Sequence, residues 1–181
     1  MVEPFNPTHA VRFEIARGRV SVDGTEARVL VPAGALGKLC ASTGADAVRD
    51  FGKNLGTEIG RRVAARLDGG APSVTALVEH LGGDLALSGL GSLTVEIWGK
   101  ALVFAVMDSP LGKEGDVLLA SVIEGALQRA LARDTSLVEL ERSDGRVRFA
   151  VLSPKTAVGV RKWLGDGVSW GDALARLNAA K

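Results

Sequence analysis

The chain has no tyrosine, a single cysteine and few aromatic residues, and each of these shortages excludes a class of site. Aromatic residues make up 4% of its 181 residues, which disfavours a surface that stacks on nucleic-acid bases or recognises a partner through tyrosines. Cys40 has no second cysteine to pair with, so a disulfide framework and a cysteine-based zinc site within one chain are excluded.

The chain also lacks an excess of charge of either sign. Its 22 basic and 21 acidic residues are well mixed and give a net charge of +1, so no nucleic-acid or anionic-membrane partner is expected. No apolar run approaches the roughly 20 residues that span a bilayer. The first seven residues have neither the basic start nor the apolar run of a signal peptide. We therefore expect a cytoplasmic protein without a membrane span.

Hydrophobic periodicity in the first half predicts strands followed by helices. Apolar and polar residues alternate over 11–15, 19–22 and 27–31, and Asp23-Gly24 between the last two runs is a strong hairpin signal. From Pro32 the period becomes helical, with a short helix to about residue 44 and a longer one over 45–67. Ser73 is expected to cap a third helix that ends near Leu81, followed by a turn-rich stretch over 82–91.

The pattern of the second half predicts a hairpin, then a helix, then another hairpin. Strands are predicted over 93–97 and 101–107, and the nearly continuous apolar second strand indicates burial on both faces. Asp116 is expected to cap a central helix that ends near Leu131, and a turn at 143–145 joins the next two strands. Two short helices follow, over 156–164 and 170–177.

This order predicts an α+β fold in which an antiparallel sheet has helices packed on one face. A length of 181 residues fits one domain, with residues 18–153 as its core and 154–181 as a C-terminal helical extension. Trp163 and Trp170 are expected to pin that extension to the body through their buried area. Ser169 and Asp172 form a possible capping box for the last helix.

The long helix carries glycines at four-residue spacing, at Gly52, Gly56 and Gly60. Each glycine costs a helix about 1 kcal/mol relative to alanine, so the row needs a reason. Such a row lets another backbone come close. We favour packing on a neighbouring helix or sheet of the same chain, and a dimer interface or space for a ligand are the alternatives.

Candidate catalytic groups are scarce. The two histidines, His9 and His80, have no cysteine or carboxylate at metal-ligand spacing, so neither a metal nor a cofactor is expected. We interpret His80 as a histidine at the end of its helix, where it suits the helix dipole. Cys40 lies on an apolar helix face and is interpreted as a buried, inert thiol. Without an acid, base or nucleophile group, an enzyme is not expected.

Several short segments resemble one protein family. The helix Phe51–Arg62 resembles the long Gly-xxx-Gly helix of the 4-vinyl reductase domain and of the TRAPP vesicle-tethering subunits, and Glu124–Leu131 resembles the central helix of that family. Gly18–Leu39 resembles the entry of its bacterial members. The terminal hairpin is matched by a further set, Glu139, Gly145, Val147, Arg148 and Phe149. The match covers about residues 18–153.

Two departures from the family bear on metals and haem. Arg142 and Val147 stand where some members place metal-binding cysteines, which argues against their zinc site. Haem-binding relatives use a Tyr-x-Ser-x-Arg element, and a chain without tyrosine lacks it.

The resemblance implies an apolar pocket between helices and sheet that binds a small hydrophobic molecule, often in a dimer. We therefore predict a ligand-binding sensor or carrier whose pocket is lined by large apolar residues, namely Leu55, Ile59, Trp98, Phe104, Leu119, Ile123 and Phe149. The alternative is an adaptor or scaffold subunit with a solid core, which acts through protein contacts at the glycine-bearing helix or the tryptophan-bearing tail.

Overall fold

The computed structural model describes residues 5–8, 10–22, 26–67 and 73–179. Within these ranges the chain forms seven strands: β1 Val11–Glu14, β2 Arg19–Val22, β3 Glu26–Arg28, β4 Ser92–Trp98, β5 Ala101–Met107, β6 Ser136–Ser143 and β7 Arg146–Leu152. It also forms six α-helices: α1 Ala33–Ser42, α2 Ala45–Arg66, α3 Val74–Leu87, α4 Asp116–Leu131, α5 Pro154–Gly165 and α6 Trp170–Ala179. The predicted α+β class is confirmed.

The strands form two antiparallel sheets. The N-terminal sheet has the order β1-β2-β3 and the larger sheet has the order β4-β5-β7-β6, so β5 and β7 are the inner strands. The predicted turn between β6 and β7 is confirmed, because Asp144 and Gly145 both have the positive φ of a type I′ turn. The predicted Asp23-Gly24 turn lies outside the described residues, although β2 and β3 are paired as it requires.

Both faces of the larger sheet are covered. Phe104 and Phe149 point into the main core, beneath α2, α3 and α4. Val103 and Ala150, one residue away on the same strands, point into a second apolar cluster formed with α5 and α6. Alternate residues of an inner strand face opposite sides, so the apolar run in β5 supplies both cores. The sequence analysis assigned helices to one face, and the structure adds the two tail helices on the other.

The tail is held as predicted. Both tryptophans of the extension, Trp163 and Trp170, pack against the second cluster. The Ser169 hydroxyl accepts a hydrogen bond from the backbone N–H of Asp172 and donates one to its carboxylate, which caps the start of α6.

Helix starts were predicted with mixed success. The Ser73 hydroxyl accepts a hydrogen bond from the backbone N–H of Ala76, which confirms the predicted cap of α3. The predicted cap of α4 by Asp116 is wrong. Asp116 is the first residue of the helix, and its buried carboxylate is bound by the Arg142 guanidinium from β6. The ion pair with Arg142 holds the Asp116 carboxylate away from the backbone N–H groups that a cap would bind.

Helix α3 extends beyond the prediction. It continues through Gly82 and Gly83 to Leu87, because Leu85 fills the main core from the second half of the helix. Of the described helices, none is both long enough and apolar enough to cross a membrane.

Candidate functional site

The glycine row of α2 lies against α4 of the same chain. A Cβ atom at Gly52 would lie 2.7 Å from the Cβ of Ser121. At Gly56 it would lie 2.8 Å from the carbonyl carbon of Val122 and closer still to its oxygen. Gly60 meets Ala126 in the same way. The row therefore lets two helix backbones approach closely, as the favoured interpretation requires, and α4 leaves no room at these positions for a second chain.

Most of the predicted pocket residues come together in the main core. Five are fully buried there, namely Ile59, Phe104, Leu119, Ile123 and Phe149, and Leu55 packs at its edge. Their side chains fill the space between α2, α4 and the larger sheet. The predicted lining residues therefore lie together, but their own side chains occupy the space between them.

Trp98 does not join this set. It lies at the end of β4 on the opposite face of the sheet, 43% exposed, and its ring meets Trp170 edge to face at 5.0 Å. Successive side chains of a strand point to opposite faces of the sheet. Trp98 therefore shares the face of Glu96, and Val95 on the other face packs on the main core. Asn178 of α6 holds the neighbouring turn by donating to the Trp98 carbonyl oxygen.

His80 has an environment that the sequence analysis did not predict. It lies in the middle of α3 rather than at its end, so the helix-dipole interpretation is wrong. The residue is 2% exposed, and neither ring nitrogen has a hydrogen-bond partner. A buried polar group without a partner costs roughly 1–3 kcal/mol. Among buried groups in folded proteins such an unpaired side chain is rare and calls for an explanation.

A buried ion-pair network fixes the helix around His80. Asp84 lies one turn further along α3 and is completely buried. Its carboxylate accepts a hydrogen bond from Arg62 Nε at 2.9 Å and another from Arg66 Nη1 at 2.7 Å, both from α2. Residues four apart share a helix side, so His80 also lies on the side of α3 that these arginines approach. The network holds α3 against α2.

The ring of Phe5 covers His80. The two ring centroids are 6.3 Å apart with the edge of one ring toward the other. Gly83, one turn after Glu79, lies directly beneath Phe5, since a Cβ there would lie 2.5 Å from the phenyl ring. The backbone N–H of Phe5 donates to the Glu79 carboxylate at 2.9 Å.

An apolar groove begins on the other side of Phe5. It has a volume of about 520 Å³ and runs between the outer side of α3 and the start of β4. Phe5, Val78, Leu87 and Leu93 contribute to its walls, and Glu79 is the charged residue among those that line it. Phe5 both lines this groove and meets His80 edge to face, so its ring lies between the groove and the imidazole.

A second cleft, of about 410 Å³, has a different character. It lies between α2, α4 and the edge strand β6, and Phe149 reaches it from the core. Six charged side chains surround it: Arg49, Lys53, Asp116, Glu124, Glu139 and Arg161. Partial burial, together with the negative charge of Asp116, raises the pKa of Glu139 above its ordinary value. So many charges make this cleft a poor site for the apolar ligand that the sequence predicts.

Part of this cleft protects the edge of the sheet. Leu137 of β6 turns its backbone groups outward, where the Glu124 carboxylate accepts from its N–H at 2.6 Å and Arg161 donates to its carbonyl at 3.2 Å. Satisfied edge groups cannot pair with another strand.

The positions that carry cysteines in some similar domains are occupied differently here. Arg142 of β6 and Val147 of β7 are direct partners across the hairpin. Arg142 binds Asp116 through both its Nε and its Nη2, and this hydrogen bonding raises the pKa of Arg142 above its ordinary value. Among the described residues, no group of three or more His, Cys, Asp or Glu side chains is placed to hold a metal ion.

Cys40 agrees with its interpretation as a buried thiol. It lies on α1 within the main core, and burial raises its pKa above the ordinary value. A raised pKa keeps the sulfur protonated and unreactive at neutral pH.

Comparison with solved structures identifies a similar fold. The chain is similar to the crystal structure of the phenol-responsive sensory domain of the transcription activator PoxR with phenol, with a TM-score of 0.64. The two are 17% identical over 94% of this chain and 92% of that chain, so the likeness is one of fold. No family model and no curated protein matches the sequence.

Proposed function

We propose that this chain is a non-catalytic, cytoplasmic sensor domain. Its ligand is a small aromatic molecule with one polar group, and it binds beside His80. The observation that carries the proposal is the imidazole of His80, which is buried with both ring nitrogens unpaired. A ligand hydroxyl is the partner that such a group lacks. The hydrogen bond it forms there would be sheltered from water, which strengthens its contribution to binding.

The similar structure supports the class of ligand. That domain responds to phenol, which is a single aromatic ring with one hydroxyl. The His80 site offers two matching features, a place beside the imidazole that accepts an aromatic ring and one hydrogen-bonding group. We also propose that this chain belongs to the 4-vinyl reductase and TRAPP-subunit superfamily, which it resembles in sequence. That resemblance implies a small hydrophobic ligand as well.

Binding without chemistry fits the groups present. Asp84, the buried carboxylate one turn after His80 in α3, is held by two arginines and points toward α2. General acid or base catalysis needs a group positioned by a partner at the reacting atom, and His80 has no partner to orient it. The apolar residues first predicted to line the pocket form the core on which α3 packs, namely Leu55, Ile59, Phe104, Leu119, Ile123 and Phe149.

Calorimetric titration with matched ligands tests the proposal. Phenol and benzene differ by one hydroxyl, so the ratio of their affinities reports the hydrogen bond to that hydroxyl. We expect phenol to bind the protein about tenfold more tightly than benzene, as one good hydrogen bond allows. In His80→Leu this preference should disappear, while His80→Gln, which keeps a polar group, should retain part of it. Equal phenol preference in the wild type and in His80→Leu would exclude His80 as the contact.

Self-association is a second property that one observation favours. Seven large apolar side chains in the N-terminal part of the chain are more than half exposed: Phe13, Ile15, Val29, Leu30, Val31, Leu39 and Phe51. Strands β1–β3 pair with one another and make few contacts with the other described elements. A sheet of three short strands needs its apolar face covered to be stable.

We infer that a second copy of the chain covers this N-terminal surface. Its seven side chains expose on the order of 700 Å², close to the roughly 800 Å² that each partner contributes to a standard interface. This surface also supports the alternative function, an adaptor acting through protein contacts.

Sedimentation equilibrium distinguishes these states. The wild type should have twice the mass of one chain, and Leu30→Asp should be a monomer. The control is Val158→Asp, on the exposed side of α5, which should remain a dimer. A wild type that stays monomeric at high concentration would contradict self-association and leave the surface to a different partner.

A further inference from the structure

Phe5 is held over His80 by contacts from three sides. Its ring lies edge to face with His80, and the Arg66 guanidinium lies 5.2 Å from the ring centroid in a cation–π contact. Gly83 provides the flat backbone surface on which the ring rests. The Glu79 carboxylate accepts the backbone N–H of Phe5. An aromatic ring therefore already occupies the position next to the unpaired imidazole.

The segment that carries Phe5 is exposed. Asn6, Pro7 and Thr8 lie on the surface, and the Asn6 side chain and the Pro7 carbonyl accept hydrogen bonds from Thr8 and Ala10 within the segment itself. Ala10 is buried, so the chain is anchored there and Phe5 is held at the end of an exposed tether. Residues 5–8 belong to none of the described strands and helices, so moving Phe5 away breaks its contacts with His80, Arg66, Gly83 and Glu79 without unfolding such an element.

We propose that Phe5 is an intramolecular competitor for the His80 site, which a ligand must displace from the position beside the imidazole. This inference rests on the proposed function and adds its regulation. With Phe5 in place, His80 is closed off from the 520 Å³ groove. With Phe5 displaced, the groove and the imidazole become one continuous site, in which a ligand ring replaces the phenyl ring and its hydroxyl meets the ring nitrogen that Phe5 cannot satisfy.

The competition sets the apparent affinity. A ligand that binds only the open form has an affinity reduced by the fraction of molecules that are open. If one molecule in ten is open, removing Phe5 raises the measured affinity about tenfold. The polar group of the ligand supplies the advantage over Phe5, because a phenyl side chain offers no hydrogen bond to His80.

Two variants displace Phe5 by different means. Phe5→Ala removes the ring, and Gly83→Ala keeps the ring but puts a methyl group where it rests. The control is Gly159→Ala in α5, away from the groove, where a new Cβ would have no neighbouring atom within 4 Å. All three variants are made in the full chain.

Two readouts are compared: the affinity for phenol by calorimetry, and the rate at which diethylpyrocarbonate modifies His80, followed by peptide mass spectrometry. We expect Phe5→Ala to bind phenol about tenfold more tightly than the wild type. Gly83→Ala should show no such gain, because its methyl group also occupies the place of the ligand ring. Phe5→Ala and Gly83→Ala should both be modified faster at His80 than the wild type, and Gly159→Ala should change neither readout.

The two ways of failing are distinguishable. Phenol binding that is equal in all four proteins would overturn the competition while leaving the proposed function intact. If Phe5→Ala exposes His80 to the reagent and yet binds no phenol, both the proposed function and the competition are overturned. Unchanged modification rates in both variants would show that Phe5 does not close the site.

Discussion

The α2–α4 contact makes a quantitative prediction through Gly56. In Gly56→Ala the new methyl group would overlap the backbone of Val122, which cannot rotate away as a side chain does. The helices must separate, and overpacking of this kind costs up to about 3 kcal/mol. Alanine returns about 1 kcal/mol of helix propensity. We therefore expect the free energy of unfolding to fall by about 2 kcal/mol.

Urea denaturation followed by circular dichroism measures this change. The matched control is Gly159→Ala in α5, because Gly159 is also inside a helix but has no neighbouring atom within 4 Å of the new Cβ. That variant should be more stable than the wild type by up to about 1 kcal/mol. If Gly56→Ala were as stable as Gly159→Ala, the two backbones would not be in the contact described, and the glycine row would need another explanation.

Two further predictions concern charged groups. Asp84→Asn removes the carboxylate shared by Arg62 and Arg66, and urea denaturation should show a loss of about 3 kcal/mol or more in the free energy of unfolding. The control is Asp46→Asn, at an exposed ion pair, which should change this free energy by less than about 0.5 kcal/mol. Similar losses in the two variants would contradict the buried network. Burial acts to raise the pKa of Glu96, but hydrogen bonds from Arg148 and Trp98 and the charges of Arg148 and Arg146 outweigh it and lower the pKa. Because the pKa of Glu96 is lower in the folded state, its ionised carboxylate stabilises the protein at a pH above the unfolded-state pKa, and this stabilisation is lost as the pH falls through the folded-state pKa. The stability of Glu96→Gln should therefore decline less than that of the wild type below about pH 4. A parallel decline in the two proteins would refute this.

Much of the fold follows from local sequence patterns. The hairpin at Asp144-Gly145 and the apolar run of β5 were predicted because turn chemistry and alternation act within a few residues. The glycine row was correctly assigned to close helix packing, since only a nearby backbone explains three glycines at one helix spacing.

The candidate site depended on contacts between distant segments. His80 was assigned to a helix end because Gly82-Gly83 was interpreted as a turn, and the structure shows that these glycines continue the helix and accommodate Phe5. Nothing within a few residues of either position indicates that Phe5 and His80 meet. A histidine among the apolar positions Leu77, Leu81 and Leu85 was the available signal, because it is the polar member of a buried helix side.

Trp98 was predicted to line the pocket, and the structure places it on the other face of the sheet. Its face of the sheet follows from strand parity, and Val95 and Ile97 have the parity of the main core. Counting from Val95 would have placed Trp98 on the opposite face, where it meets Trp170.

The central claim is that a ligand hydroxyl pairs with the His80 imidazole, and ¹⁵N nuclear magnetic resonance of that ring tests it most directly. The chain has two histidines, so His9→Gln leaves His80 as the single source of imidazole signals. On addition of phenol, one ring-nitrogen resonance of His80 should shift as it gains a hydrogen bond, and benzene should leave it unchanged. Ring-nitrogen resonances that do not respond to saturating phenol would contradict the account.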